Sequence, residues 1–313
     1  MPWMILTTAV PFALALAVLQ LLGPKAGPEI GSASQIGGYL PGLIAFCTAA
    51  VAQFAICIGA IFVFLQVLRG APLEIRRLGL RIGIPFAAFM LLALALMPKF
   101  GGAAGELTFA YFAATFADSG AEWLFAAGPG GTLTRLQLAY FLPSALGVLA
   151  VVSAAVALAA LVKAMPEADA PEWPAAWQKS HASARQILYL LTLILVLSTF
   201  AASLFFHLPV ELFHGDDKKA MLRFANELSI FWGTVYTLTL VATVTPAAFL
   251  LRNRAHKAVT ELKDPEAAKK AKALLDSQGL LAGMKQQVEL VLALLAPMIA
   301  GPLANALQAA VVA

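Results

Sequence analysis

The chain has 313 residues, of which 61% are hydrophobic and 12% charged, with a net charge of +4 and a mean hydropathy of +0.83. Soluble domains carry about 25% charged residues, so these values exclude an aqueous globular domain and, with it, a soluble enzyme. Apolar runs of about 20 residues recur along the chain and call for lipid as solvent. They are continuous and not alternating, which indicates helices and not a barrel. The small basic excess fits cytoplasmic loops better than nucleic-acid binding, and no nucleic-acid partner is expected.

In chain order, residues 4–22 form a first apolar segment that reads as a retained membrane helix and not a signal peptide. Gly23, Pro24, Gly27, Pro28 and Gly31 mark a loop. A second segment spans about 40–68, and its Ala45, Ala49, Ala52 and Gly59 allow close helix approach. Its two cysteines, Cys47 and Cys57, are about 15 Å apart at helical rise and cannot pair with each other. Arg69, Arg76, Arg77 and Arg81 follow, and then a third segment over about 82–97.

Residues 106–127 are apolar and aromatic but contain Glu106, Asp118 and Glu122. A lipid-facing helix resists each such charge by about 2.5–3.5 kcal/mol. The next span is about 137–162, rich in alanine, with faces such as Ala150, Ala154 and Ala155, Ala159. A polar connection over 163–185 carries Trp173 and Trp177, expected at headgroup level. Residues 188–251 form an apolar hairpin joined at His207, Pro209, Glu211 and His214, and residues 252–286 a polar cytoplasmic arm. A last span covers about 287–309.

The distribution of charge decides the expected topology. If 106–127 does not cross, fifteen of the twenty-one lysines and arginines fall in the three loops sharing one side. The positive-inside rule puts that side in the cytoplasm, with the amino terminus inside and the carboxyl terminus outside. The expected fold is therefore an all-α polytopic integral membrane bundle, one transmembrane domain over 1–313. It has about seven transmembrane helices plus one re-entrant or interfacial helix on the outer side, and eight spans if 106–127 does cross. Its place is the cell membrane, and the composition resembles that of bacterial inner-membrane proteins.

Three groups carry candidate chemistry. Tyr236, Thr239, Thr243 and Pro246 share one helical face, with Thr234 and Thr237 extending polarity to a neighbouring face. Lined against a partner, such hydroxyls wet a pore; in ordinary packing they bond their own helix or a neighbour. Pro246 also removes the backbone bond that the Ala242 carbonyl would otherwise accept. Asp118 and Glu122, four apart, form an acidic face suited to attracting cations or passing protons, or else a solvated outer helix. His207, Glu211 and His214 fall at helical spacing and resemble a small metal or proton site. Pro209 interrupts that set, however, and no H-E-x-x-H spacing is present.

There is no P-loop, no G-x-G-x-x-G and no haem or iron–sulfur cysteine set. Nucleotide-driven transport by this chain alone is thereby excluded, and no cofactor is indicated. Polar residues are sparse and lie near segment ends or along one helix. They favour a homo-oligomeric channel, pore or transport-type protein, with a membrane-embedded metal enzyme and a non-catalytic subunit of a larger membrane complex as alternatives. The expected partners are the lipid bilayer and further copies of the chain or other membrane subunits.

Overall fold

A bilayer core offers backbone groups no water, so an apolar run must satisfy its own N–H and C=O groups as a helix. The computed structural model describes residues 36–100, 135–165, 173–208, 210, 213–262 and 292–303, with isolated positions at 266, 268, 269, 273 and 306. The long elements are α1 (Ile36–Arg69), α2 (Leu73–Phe100), α3 (Arg135–Ala164), α4 (Trp173–His207) and α5 (Gly215–Glu261). A shorter apolar helix, α6, covers Leu292–Leu303. No strand occurs among the described residues.

Five of these helices are long and apolar enough to cross a membrane, so this is a multi-pass helical membrane protein. The sequence leads to seven or eight spans, and the structure supports five. Segment 4–22 lies outside the described residues, as do 106–127 and most of the arm from 263 to 286. The described part of the last span, Leu292–Leu303, rises only about 18 Å against a hydrocarbon core of about 30 Å.

α3 is the hub. In its apolar window 72% of residues are buried, against 17% in α2, so α3 sits inside and α2 at the periphery. Ala150, Ala154, Ala155, Ala157, Ala159 and Ala160 are essentially inaccessible. Small side chains let neighbouring backbones approach, which is how helices gain packing where lipid supplies no hydrophobic drive. The alanine faces of α3 are thus used within the chain.

The contacts also fix direction. Gln53 at the middle of α1 bonds to Pro143 near the start of α3 and to Ser198 toward the end of α4, while Leu68 at the end of α1 meets Gly79 together with Val156 of α3. Gly79 and Gly83 of α2 face Val156 and Val152 of α3 in reversed order. Arg254 of α5 donates from Nη1 to the Val162 carbonyl at the end of α3. α1, α3 and α5 therefore run one way, and α2 and α4 the other.

One consequence is a segregation of charge. Arg69, Arg76, Arg77, Arg81, Lys163, Lys179, Arg185, Arg252, Arg254 and Lys257 gather at one end of the bundle. The opposite end carries Asp216, Asp217 and Glu227 beside Lys218, Lys219 and Arg223. There Lys219 pairs with Asp216 and Arg223 with Glu227, both at 2.9 Å. α2 finishes and α3 begins at that opposite end, so the chain leaves and re-enters the described bundle on the same side.

α5 has 47 residues, about 70 Å at 1.5 Å per residue, more than twice the bilayer core. Its start is marked by Gly215 at φ 59°, a left-handed conformation that glycine takes without penalty. Asp216 and Asp217 in the first turn complement the positive end of the helix dipole. Its last turns, beyond Arg252, are mostly exposed and polar. α6 crosses α5 at two glycines. A Cβ on Gly233 would lie 2.8 Å from the Pro297 carbonyl oxygen, and one on Gly301 would lie 2.9 Å from that of Ser229. Only hydrogen at both positions permits this backbone contact.

Trp173 and Trp177 face inward and not toward headgroups. They are 2% and 1% exposed, and Trp177 stacks on Trp173 and on His181. The polar connection that holds them is helical from residue 173 onward, and its apolar face turns into the bundle.

Candidate functional site

Polar groups from α1, α3, α4 and α5 converge at one level of the bundle. Gln53 sits in an uncharged apolar run on α1 and is 4% exposed. Its Nε2 donates to Ser198 Oγ at 2.9 Å and to the Pro143 carbonyl at 3.3 Å. Ser198 Oγ in turn donates to the Ile194 carbonyl at 2.8 Å, and Ser144 Oγ to the Tyr140 carbonyl at 2.8 Å. Pro143 lies inside α3 and brings no N–H to the Ala139 carbonyl one turn back.

These groups line a cavity with Tyr140, Tyr236, Phe46, Ala50, Ala201 and Ala202. Its accessible volume is about 10 Å³, on the order of one water molecule. No charged side chain lines it. Tyr140 stacks on Phe205 at 4.5 Å between ring centroids, and Phe205 contacts Phe46 at 5.4 Å, so an aromatic wall closes one side. An amide, two serine hydroxyls and two tyrosines in an uncharged pocket suit a small neutral hydrogen-bonding species and not an ion pair.

Of the threonine face, Tyr236 alone lines this cavity. Thr239 and Thr243 are buried, and their hydroxyls donate back to the Val235 and Thr239 carbonyls at 2.9 and 2.7 Å. Thr234 does the same to Ile230 at 2.9 Å. This back-bonding is how a helix hides a hydroxyl in an apolar setting. Pro246 is half-buried in the same helix. Thr237 differs: it is 7% exposed, and among the described residues its Oγ1 has no hydrogen-bond partner. It lies one turn from Gly233, on the side of α5 that meets α6.

The three residues of the possible metal set do not share one helix. α4 ends at His207, α5 begins at Gly215 and His214 is its exposed N-cap. Glu211 lies outside the described residues. His207 is buried with both ring nitrogens engaged, Nδ1 to the Ser203 carbonyl at 2.8 Å and Nε2 to the Asn226 side-chain amide at 3.0 Å. A carbonyl only accepts, so Nδ1 carries the hydrogen. In a neutral ring Nε2 then accepts, and Asn226 turns its NH₂ toward it. The bond ties the end of α4 to α5. Among the described residues no three His, Cys, Asp or Glu side chains are grouped to hold a metal ion. Asp118 and Glu122 lie outside the described residues.

Sequence reasoning missed Gln53, Ser144 and Ser198. The available signal was an amide in the middle of an uncharged run, and a serine directly after an intrahelical proline. Comparisons with protein-family models, with curated proteins and with solved structures give no match.

Proposed function

We propose that the chain is a transport-type protein of the bacterial inner membrane, homo-oligomeric, that passes water or a small uncharged hydroxylic solute. The observation that carries this reading is the water-sized polar cavity where Gln53, Ser144, Ser198, Tyr140 and Tyr236 meet. Polar groups are costly inside a bilayer and mark solute paths there. Pro143 beside such a pocket brings no N–H to the Ala139 carbonyl, a backbone acceptor of the kind solute sites use. In this reading seven spans cross, the basic end of the bundle faces the cytoplasm, the amino terminus is inside and the carboxyl terminus outside. Thr237 and Pro246 on the same helix are further candidates for the path, as are Asp118 and Glu122 outside the described residues, whereas Thr234, Thr239 and Thr243 join it only by giving up the bonds to their own helix.

Stopped-flow light scattering on proteoliposomes, with water and glycerol-sized solutes, tests it alongside planar-bilayer conductance. Permeability above that of empty vesicles, lowered by Gln53→Leu, is expected. Folded protein that is silent to solutes and ions alike ends the reading.

A second reading is a non-catalytic subunit of a larger membrane complex, although the alanine faces of α3 that would serve it are buried within the chain. Obligate co-purification with other subunits distinguishes it. A metal enzyme using His207, Glu211 and His214 would need His207 Nε2 to exchange Asn226 for the ion.

A further inference from the structure

The peripheral helix α2 packs on the bundle through one face, where Ile75, Phe86 and Met90 are buried. Its opposite face follows a different order. Arg77, Arg81, Ile84, Ala88 and Leu92 are all exposed, and their spacing of four, three, four and four residues keeps them on one side of the helix. Arg77 and Arg81 stand at the basic end of the bundle, one turn apart. Ile84 and Leu92 lie deeper, 63% and 58% exposed. From Arg81 to Leu92 the helix rises about 16 Å, comparable to one leaflet of a hydrocarbon core about 30 Å thick.

Among the described residues neither arginine makes an ion pair, although Glu74 is exposed one turn from Arg77. Arg69 and Arg76 add positive charge at the same corner, where α1 turns into α2. Elsewhere cations are paired with carboxylates, Lys219 with Asp216 and Arg223 with Glu227 at the opposite end and Lys257 with Glu261 at the same end.

We infer that this face of α2 is a docking surface for an anionic phospholipid. The phosphate sits between Arg77 and Arg81, and an acyl chain runs along Ile84, Ala88 and Leu92. Arginine is suited to this place because its planar guanidinium donates two parallel hydrogen bonds to a phosphate and is weakly hydrated. The order of charge followed by apolar surface along one face matches the order of headgroup and chain in a lipid. A soluble anion would use the arginines and ignore the stripe. Basic residues at a membrane surface attract anionic lipids in general; here the paired geometry and the stripe below it add selectivity for one position.

Full-length protein reconstituted with spin-labelled phosphatidylglycerol or phosphatidylcholine tests the inference by electron paramagnetic resonance. A several-fold preference of the protein-contacting fraction for phosphatidylglycerol is expected, weakened by salt. The Arg77→Gln/Arg81→Gln variant lowers that preference more than Lys179→Gln/Arg252→Gln, which removes the same charge from the same end. Equal losses in the two variants indicate a diffuse field and overturn the site. No preference in the wild-type protein overturns it without any variant. Displacement of the labelled lipid by millimolar inorganic phosphate, at an ionic strength where chloride does not displace it, indicates a phosphate site and overturns the lipid assignment.

Discussion

Gln53 and Ser198, 145 residues apart, share a hydrogen bond of 2.9 Å that locks α1 to α4 inside the bundle. The same amide reaches the Pro143 carbonyl, so one side chain ties three helices. Such bonds between membrane helices contribute about 0.6 kcal/mol on average and up to about 1.7. Gln53→Leu is expected to destabilise the protein by about 1 kcal/mol, read as a shift in an unfolding titration in mixed micelles. The double variant with Ser198→Ala should cost less than the sum of the two single changes, because both remove one shared bond. Full additivity would show that the bond carries no coupling.

The crossing of α5 and α6 is set by backbone contact. Gly233→Ala brings a methyl to 2.8 Å from the Pro297 oxygen, and Gly301→Ala to 2.9 Å from the Ser229 oxygen. Neither neighbour is a flexible side-chain tip, so α6 itself has to move. A loss of about 1–3 kcal/mol is expected for each, along with faster proteolysis near α6. Unchanged stability in both variants would mean that α6 does not pack here.

Thr237 offers a contrast within one helix. Its buried hydroxyl is unpartnered, whereas Thr239 donates to the Val235 carbonyl. Replacing an unpaired buried hydroxyl with a methyl of the same shape removes a desolvation cost of about 1–3 kcal/mol. Thr237→Val should therefore match or exceed the wild type in thermal stability, while Thr239→Val loses a little. A marked drop for Thr237→Val would reveal a partner for that hydroxyl in the membrane.

His207 and Asn226 close the other end of the α4–α5 pair. His207→Ala and Asn226→Ala should each cost about 1–3 kcal/mol, because each leaves a buried polar group unpaired. The double variant should cost little more than either alone. Metal analysis of the purified protein adds the decisive control. Stoichiometric metal lost in His207→Ala and retained in Asn226→Ala would replace the structural tie with a metal site.

Arg254 donates to the Val162 carbonyl, one of the last four of α3, which lack helical donors. A cation there also complements the helix dipole, a contribution of about 0.3–1 kcal/mol. Arg254→Gln should lower stability by a comparable amount, and protease sites beyond residue 252 should open first. If digestion of that region is unchanged, the contact does not hold α5 against α3.

The amino-acid sequence by itself determined the solvent and the five long apolar helices. These follow from local composition: a bilayer forces each apolar run to bond its own backbone, and arginines and lysines accumulate where runs end. Only the tertiary structure decided which polar groups meet. Thr239 and Thr243, conspicuous in the sequence, turn their hydroxyls onto their own helix, and Trp177 turns inward. The inconspicuous Gln53 and Ser198 form the polar centre. The physical reason is that helix periodicity places a residue on a face, while the choice of facing helix depends on how small residues such as those of α3 and the Gly233–Gly301 crossing let backbones approach. That choice couples residues far apart in the chain, and no local pattern records it.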